Sequence, residues 1–301
     1  MTGMYQTVST KDPAAVAREV QASYLAMFPQ GDRLFVPGAF GWASECFTGR
    51  YADYQAVDTD YHDFEHTLQG ALCMVRILHG RQMAAAQPPI TRHIFELGLL
   101  AILLHDTGYL KKRGDIDGTG AKYTATHVSR STEFAARLLG EKGYHLSDIH
   151  AVQNMIRCTG VDATLSNIPF QDELEKIVGH ALGTADLLGQ MAADDYVEKL
   201  PILYDEFAEA GHNAPPKSSV VSMFSSAKDL LRKTPDFWDK YVKHKLDRDF
   251  GGVFRFLNDP YPGGANFYMD KIESNIRHLR DVISSEENTT SFLKKYHAVS
   301  R

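Results

Sequence analysis

The chain has 301 residues, 44% of them hydrophobic and 23% charged, with a formal charge of −6 and a sequence pI of about 6.1. That is ordinary globular composition, enough for one large domain or two small ones, and with no basic block it gives no indication of nucleic acid as a partner. The three cysteines, Cys46, Cys73 and Cys158, are far apart and lack Cys-x-x-Cys spacing; with no basic-then-apolar leader and no apolar run of membrane-spanning length, they fit free thiols in a cytoplasmic protein with no membrane partner.

Asp12 as cap and Pro13 in the first turn open a helix over residues 14–28, with Val16, Val20, Tyr24 and Met27 on one face. Residues 31–41 contain Pro37, Gly38 and Gly41 and read as loop, and residues 42–54 as a short helix ending near Gly49. Tyr61-His62-Asp63-Phe64-Glu65-His66 opens the next helix, which continues to about Met83 with Leu68, Leu72, Val75, Ile77 and Leu78 as its apolar positions. Gln87-Pro88-Pro89 ends it, and Thr91 caps a helix over 92–105. Residues 113–121 (RGDIDGTGA) read as an exposed loop. Helices follow over 126–140, over 148–158 with Ser147 as cap, over 172–191 from Asp172, and over 194–210. A polar break with Pro215-Pro216 precedes helices near 220–233, 235–256 and 266–284. The tail from Glu286 is polar and expected to fray.

No stretch shows sustained period-2 alternation, so the expected fold is all-α, a multi-helix bundle. Three parts are expected: an N-terminal helical segment over 1–54, a central helical domain over 55–210, and a C-terminal helical extension over 211–301 packed on the core. Phe224, Phe237, Trp238, Phe254, Phe256 and Phe267 in that extension suit either a buried face or the interface of a homodimer. Trp42, Phe47, Tyr51, Tyr54 and Phe64 suit the core, with a pocket wall as the alternative.

The chemistry gathers at Leu103-Leu104-His105-Asp106-Thr107-Gly108-Tyr109. A His-Asp pair ending an apolar run needs something to satisfy it. A divalent metal would do so, because imidazole and carboxylate are both first-row ligands. His62 and His66 are four apart and would share one helical face. Asp186 lies in a largely apolar helix, where a carboxylate is expensive to bury unless paired or metal-bound. His127 begins a helix that falls between these in the chain. His62, His66, His105, Asp106 and Asp186 are therefore candidate ligands for one or two divalent ions, with His127 as a further candidate. Such donors accept Mn, Fe, Ni, Co, Zn or Mg.

The pattern resembles the HD-domain metal-dependent phosphohydrolase superfamily over roughly residues 55–205. Its signature is a histidine on one helix, a His-Asp doublet on the next and a later aspartate: here His66, His105-Asp106 and Asp186. Tyr61-His62-Asp63-Phe64-Glu65-His66 is similar to the Tyr-His-Asn-x-x-His motif of cyclic nucleotide phosphodiesterases, and Ala185-Asp186-Leu187 to their later metal aspartate. The resemblance implies hydrolysis of a phosphate mono- or diester in a small, nucleotide-like substrate by metal-activated water. It implies His62 as general acid, the four signature residues as the first metal site, and Asp106 as a bridge to a second ion. Lys111, Lys112 and Arg113, and also Lys122, are candidates to bind phosphate oxygens, against the alternative of a solvated basic loop.

The departures are specific. Asp63 replaces that family's asparagine, Tyr109 replaces a polar residue, and no purine-clamping glutamine is found. Cyclic-dinucleotide hydrolases carry a histidine where His127 stands and another where this chain has Cys158; His150, two turns earlier, is expected on the surface. Two other readings stand beside the hydrolase. One is a di-iron oxygenase similar to the inositol and phosphonate oxygenases, which needs a sixth ligand at the place of Cys158. The other is a catalytically inactive HD domain used as a ligand sensor or interaction module.

Overall fold

The apolar stripes of the sequence become the contact faces of a helical bundle in the computed structural model, which describes residues 8–160, 163–213 and 223–299. The described residues form eleven α-helices and a single two-residue ribbon, Asn258–Asp259 antiparallel to Ala265–Asn266. The fold is all-α. Helix α1 (Pro13–Met27) starts with the Asp12 carboxylate accepting from the Ala14 N–H, and Val16, Val20, Tyr24 and Met27 are its buried face. Cap and stripe both follow from the sequence.

The next element corrects the expectation. Residues 31–41 are not a loop, because α2 spans Phe35–Phe47. Pro37 falls in its first turn, where the helix asks no N–H of it. A Cβ on Gly38 or Gly41 would meet nothing within 4 Å, so both glycines lie on an open face. The other face buries Val36, Ala39, Phe40, Ala43 and Phe47, and that packing overrides weak helix propensity. The helix stops at Phe47, with Gly49 at φ +70° turning the chain.

Three helices form the centre: α3 (Phe64–Met83), α4 (Arg92–Leu104) and α7 (Glu173–Met191). Asp63, Thr91 and Asp172 cap them, accepting from the N–H groups of His66, Ile94 and Glu175. Residues 66–78 of α3 are buried without a break, as befits a helix surrounded by others. At Gly189 a Cβ would lie 2.8 Å from the backbone of Gln69. Glycine there lets α3 and α7 approach backbone to backbone, which sets the start of α3 beside the C-terminal end of α7.

Around this centre lie α5 (His127–Glu141), α6 (Leu146–Ile156), α8 (Tyr196–Asn213), α9 (Ala227–Asp236), α10 (Phe267–Val282) and α11 (Glu286–Val299). Ser147 does not cap α6: the helix already begins at Leu146, with His145 in the cap position. Pro235 does not divide two helices either. It lies inside α9, and the chain runs on through two π-helical stretches, Phe237–Val242 and Lys245–Asp249. The tail does not fray at Glu286. Lys228 and Arg232 hold Glu286, Thr289 is fully buried, and the Tyr296 hydroxyl donates to Asp205 at 2.6 Å. Pro215-Pro216 lies outside the described residues.

One hydrophobic cluster runs from Val16 to Val282 and takes in Trp238, Leu246 and Phe250 of the C-terminal part. Trp238 is completely buried, and its Nε1 donates to Glu273 at 2.9 Å. No helix among the described residues is long and apolar enough to cross a membrane.

Candidate metal centre

His66 is the third residue of α3, and its position is fixed locally. The Asp63 carboxylate accepts from the His66 N–H at 2.8 Å, which locks the first helical turn. His105 ends α4. Its Nδ1 is 2.8 Å from the carbonyl oxygen of Ile102, which only accepts, so Nδ1 carries the hydrogen and Nε2 is left for the cluster. Asp106 follows directly, ahead of the tight turn Thr107–Tyr109. Gly108 is needed in that turn: a Cβ there would lie 2.0 Å from the carbonyl oxygen of His127. Its N–H donates to Ser131 Oγ at 2.8 Å, so the doublet is pinned to the first turns of α5. Asp186 arrives from the C-terminal half of α7.

These four side chains converge. His66 Nε2 is 3.2 Å from both Asp106 Oδ2 and Asp186 Oδ1. His105 Nε2 is 3.2 Å from the same Asp106 oxygen and 3.4 Å from the same Asp186 oxygen. Four donors at about 2.1 Å from one ion would be about 3.0 Å apart in an octahedral arrangement and about 3.4 Å apart in a tetrahedral one. The four nitrogen–oxygen spacings fall in that interval. His105 Nε2 and Asp106 Oδ2 are buried 3.2 Å apart, and neither has a well-directed hydrogen bond to another group. The buried group His66, His105 and Asp106 can hold a metal ion, and Asp186 Oδ1 lies within 3.4 Å of both ring nitrogens at its edge.

The charges explain why an ion is suited here. Burial disfavours a charged His66 ring, yet Asp106 and Asp186 outweigh it and lift its pKa to about 9. They lift His105 well above its ordinary value against the same penalty. Burial works to raise both carboxyl groups, and the two rings overcome it and hold them well below the carboxylate range. Without an ion the cluster balances two carboxylates with ring protons; a divalent cation replaces those protons.

His62 lies outside this ring of donors. The expectation that it shares a helical face with His66 does not hold, because α3 starts at Phe64 and His62 precedes the Asp63 cap. The two rings are nonetheless neighbours, 5.6 Å apart with planes at 83°. His62 Nδ1 sits 2.5 Å from Glu206 Oε2, and Glu206 Oε1 accepts from the Tyr61 N–H at 2.7 Å. Glu206 comes from α8 and is 5% exposed. The sequence reading missed it. Its signal was a carboxylate on the buried stripe of α8, between Leu200 and Ala210, the same kind of interruption that singled out Asp186.

Tyr109 is buried, and its ring stacks on His62 at 4.5 Å and on His127 at 4.8 Å. Burial raises its phenol well above the ordinary value. His127 opens α5, donates Nδ1–H to the Thr124 carbonyl at 2.6 Å, and has its pKa lowered by burial. It stands beside the cluster through Tyr109, outside the His66, His105 and Asp106 group.

The candidate phosphate-binding lysines are all engaged elsewhere. Lys111 is buried, 2.9 Å from Asp58 and 2.5 Å from the Gly118 carbonyl. Lys112 is exposed and faces Asp53 at 3.5 Å. Lys122 pairs with Asp115 and donates to the Asp117 carbonyl at 2.7 Å. They close the loop at 111–122 and are not free cations at the cluster. Cys158 is also elsewhere: a Cβ on Gly179 of α7 would lie 2.9 Å from its sulfur, and burial pushes its thiol up to about 12. His150 is exposed on α6. Phe64 stacks on Phe47 at 4.9 Å, and Tyr51 and Tyr54 pack on Phe134, so these aromatics are packing residues.

A family model described as Npun_R2479-like matches residues 114–251. The matched stretch holds His127, Asp186 and Glu206 and ends beyond the π-helical segments; it begins after His105-Asp106. Comparison with curated proteins finds no match.

Proposed function

We propose that this chain is a metal-dependent phosphohydrolase acting on a phosphate mono- or diester in a small, nucleotide-like molecule. One observation carries the reading. Two imidazole nitrogens and two carboxylate oxygens converge at 3.2–3.4 Å, beside a histidine that stands outside the group and is held by its own carboxylate. The resemblance of His66, His105-Asp106 and Asp186 to the HD signature supports it.

When bound, a divalent ion supplies Lewis acidity toward a phosphate oxygen and toward the attacking water. The remaining work falls to side chains. Glu206 takes the Nδ1–H of His62, so the proton on the opposite nitrogen is the one offered to the leaving oxygen. Tyr109 covers one face of the His62 ring and fixes its plane. Asp106 and Asp186 stay ionised at neutral pH, as ligands must. With Lys111, Lys112 and Lys122 each paired to an aspartate, the substrate's charge is met by the ion in this reading. The free, buried cysteines fit a reducing, cytoplasmic setting.

The test is elemental analysis of protein purified without chelator, beside Asp106→Ala, with hydrolysis of a chromogenic phosphodiester in added manganese or nickel. Bound transition metal and hydrolysis in the native chain, both lost in the variant, are expected. Failure to bind any metal after reconstitution would remove the reading. Iron together with oxygen uptake would replace it with the oxygenase.

A further inference from the structure

His66 turns Nε2 to the cluster, 3.2 Å from each carboxylate oxygen. Its other ring nitrogen, Nδ1, is buried without a hydrogen-bond partner. His105 meets the same requirement within the chain by donating Nδ1–H to the Ile102 carbonyl. No such carbonyl serves His66. Nδ1 carries a hydrogen both when Nε2 holds a metal and when the ring is charged, so in either state it is a buried donor that needs an acceptor.

A cavity of about 10 Å³ lies against His66, walled also by Tyr61, Gln69, Gln190, Ala193, Tyr196 and Lys199. That is the room of a single water molecule. Gln190 is held in place there: its Oε1 accepts from the Tyr61 hydroxyl at 2.7 Å, and its Nε2 donates to the backbone carbonyl of Asp186 at 2.9 Å. One lone pair of Oε1 remains for a further donor. Gln69 is 7% exposed and brings a second amide to the same space.

We propose that one buried water molecule fills this cavity, accepts the Nδ1–H of His66 and is held by the side-chain amides of Gln69 and Gln190. A water with three such partners is typical of buried sites. Because Gln190 is also bonded to the Asp186 backbone, the water ties two of the four donors, His66 and Asp186, into one network. The glutamines are then positioning residues for the metal ligand, since the partner of the second ring nitrogen orients a ligating imidazole. This positioning role rests on the metal reading above; the water does not.

Two measurements test it. A high-resolution crystal structure of the metal-free full chain should show a water within hydrogen-bonding distance of His66 Nδ1 and of a Gln69 or Gln190 amide. A dry cavity, or Nδ1 bonded to a protein atom, would overturn the proposal. Titration with zinc should then give Gln69→Leu an affinity about 10–100-fold weaker than the native chain. Unchanged zinc affinity in a variant whose structure has lost the water would overturn the positioning role. A native chain that shows the water yet binds no zinc would support the water and overturn the metal reading alone.

Discussion

Glu206 Oε2 lies 2.5 Å from His62 Nδ1, across 144 residues of chain. Glu206 is buried on α8 and also takes the N–H of Tyr61, so the carboxylate fixes both the ring and the backbone that carries it. In the proposed reaction this pair decides which nitrogen of His62 holds the transferable proton. Glu206→Gln keeps the shape and removes the charge. Turnover of a chromogenic phosphodiester is expected to fall by about 10²–10⁴-fold, as for loss of a general acid, while bound metal stays at the native level. His62→Ala should behave alike, and combining the two should add little, because they act as one unit. Metal lost in either variant would assign His62 to the metal site instead.

Asp106→Ala removes the oxygen that both His66 and His105 face at 3.2 Å. Bound metal is expected to disappear with any hydrolysis. Far-ultraviolet circular dichroism should remain helical, because the caps and glycine contacts that place α3, α4 and α7 do not involve this carboxylate. Full metal content in the variant would show that His66, His105 and Asp186 suffice without it.

Much of this arrangement could be read from the sequence, for a physical reason. The caps Asp12, Thr91 and Asp172 and the stripe Val16, Val20, Tyr24 and Met27 are local signals that the fold keeps. His105, Asp106 and Asp186 stood out because each interrupts an apolar run, and His66 because it lies four residues from His62. Glu206 interrupts one too, but Glu198, Lys199, Asp205 and Glu209 on the same helix disguise it. Helix α2 was hidden by Pro37, Gly38 and Gly41, whose cost is offset only by tertiary packing. The α11 tail was hidden because its anchors, Lys228, Arg232 and Asp205, are distant in sequence. The lysines after the doublet were misplaced for the converse reason: their aspartate partners are invisible until the loop closes.

Gly108 gives a prediction about geometry rather than charge. A Cβ there would lie 2.0 Å from the His127 carbonyl oxygen and 2.8 Å from Ser131 Oγ. Backbone cannot yield as a side chain does, so α5 must shift or the turn after Asp106 must open. Gly108→Ala is expected to destabilise the fold by about 1–3 kcal/mol, in the range of overpacked cores, measured as a lowered urea midpoint. Its metal affinity should fall as well, because the displaced turn carries Asp106. A native midpoint would mean that the doublet is not wedged against α5.

Proton and metal compete for the same atoms. In the metal-free chain His66 has its pKa raised to about 9 by Asp106 and Asp186. A raised histidine contributes stability that is fully present below its unfolded value of about 6.5 and is lost as pH rises through the folded value. The lowered carboxyl groups contribute in the opposite sense: their share is present above about pH 4 and lost on further acidification. Metal-free protein should therefore be steadiest between about pH 4 and 6.5 and weaken toward pH 9. With metal bound, the ligands are already deprotonated, and affinity grows as protons cease to compete. The gap between urea midpoints with excess zinc and with chelator should widen from about pH 6 to about pH 9. A gap independent of pH would mean that zinc stabilises the chain without displacing protons from His66 and His105.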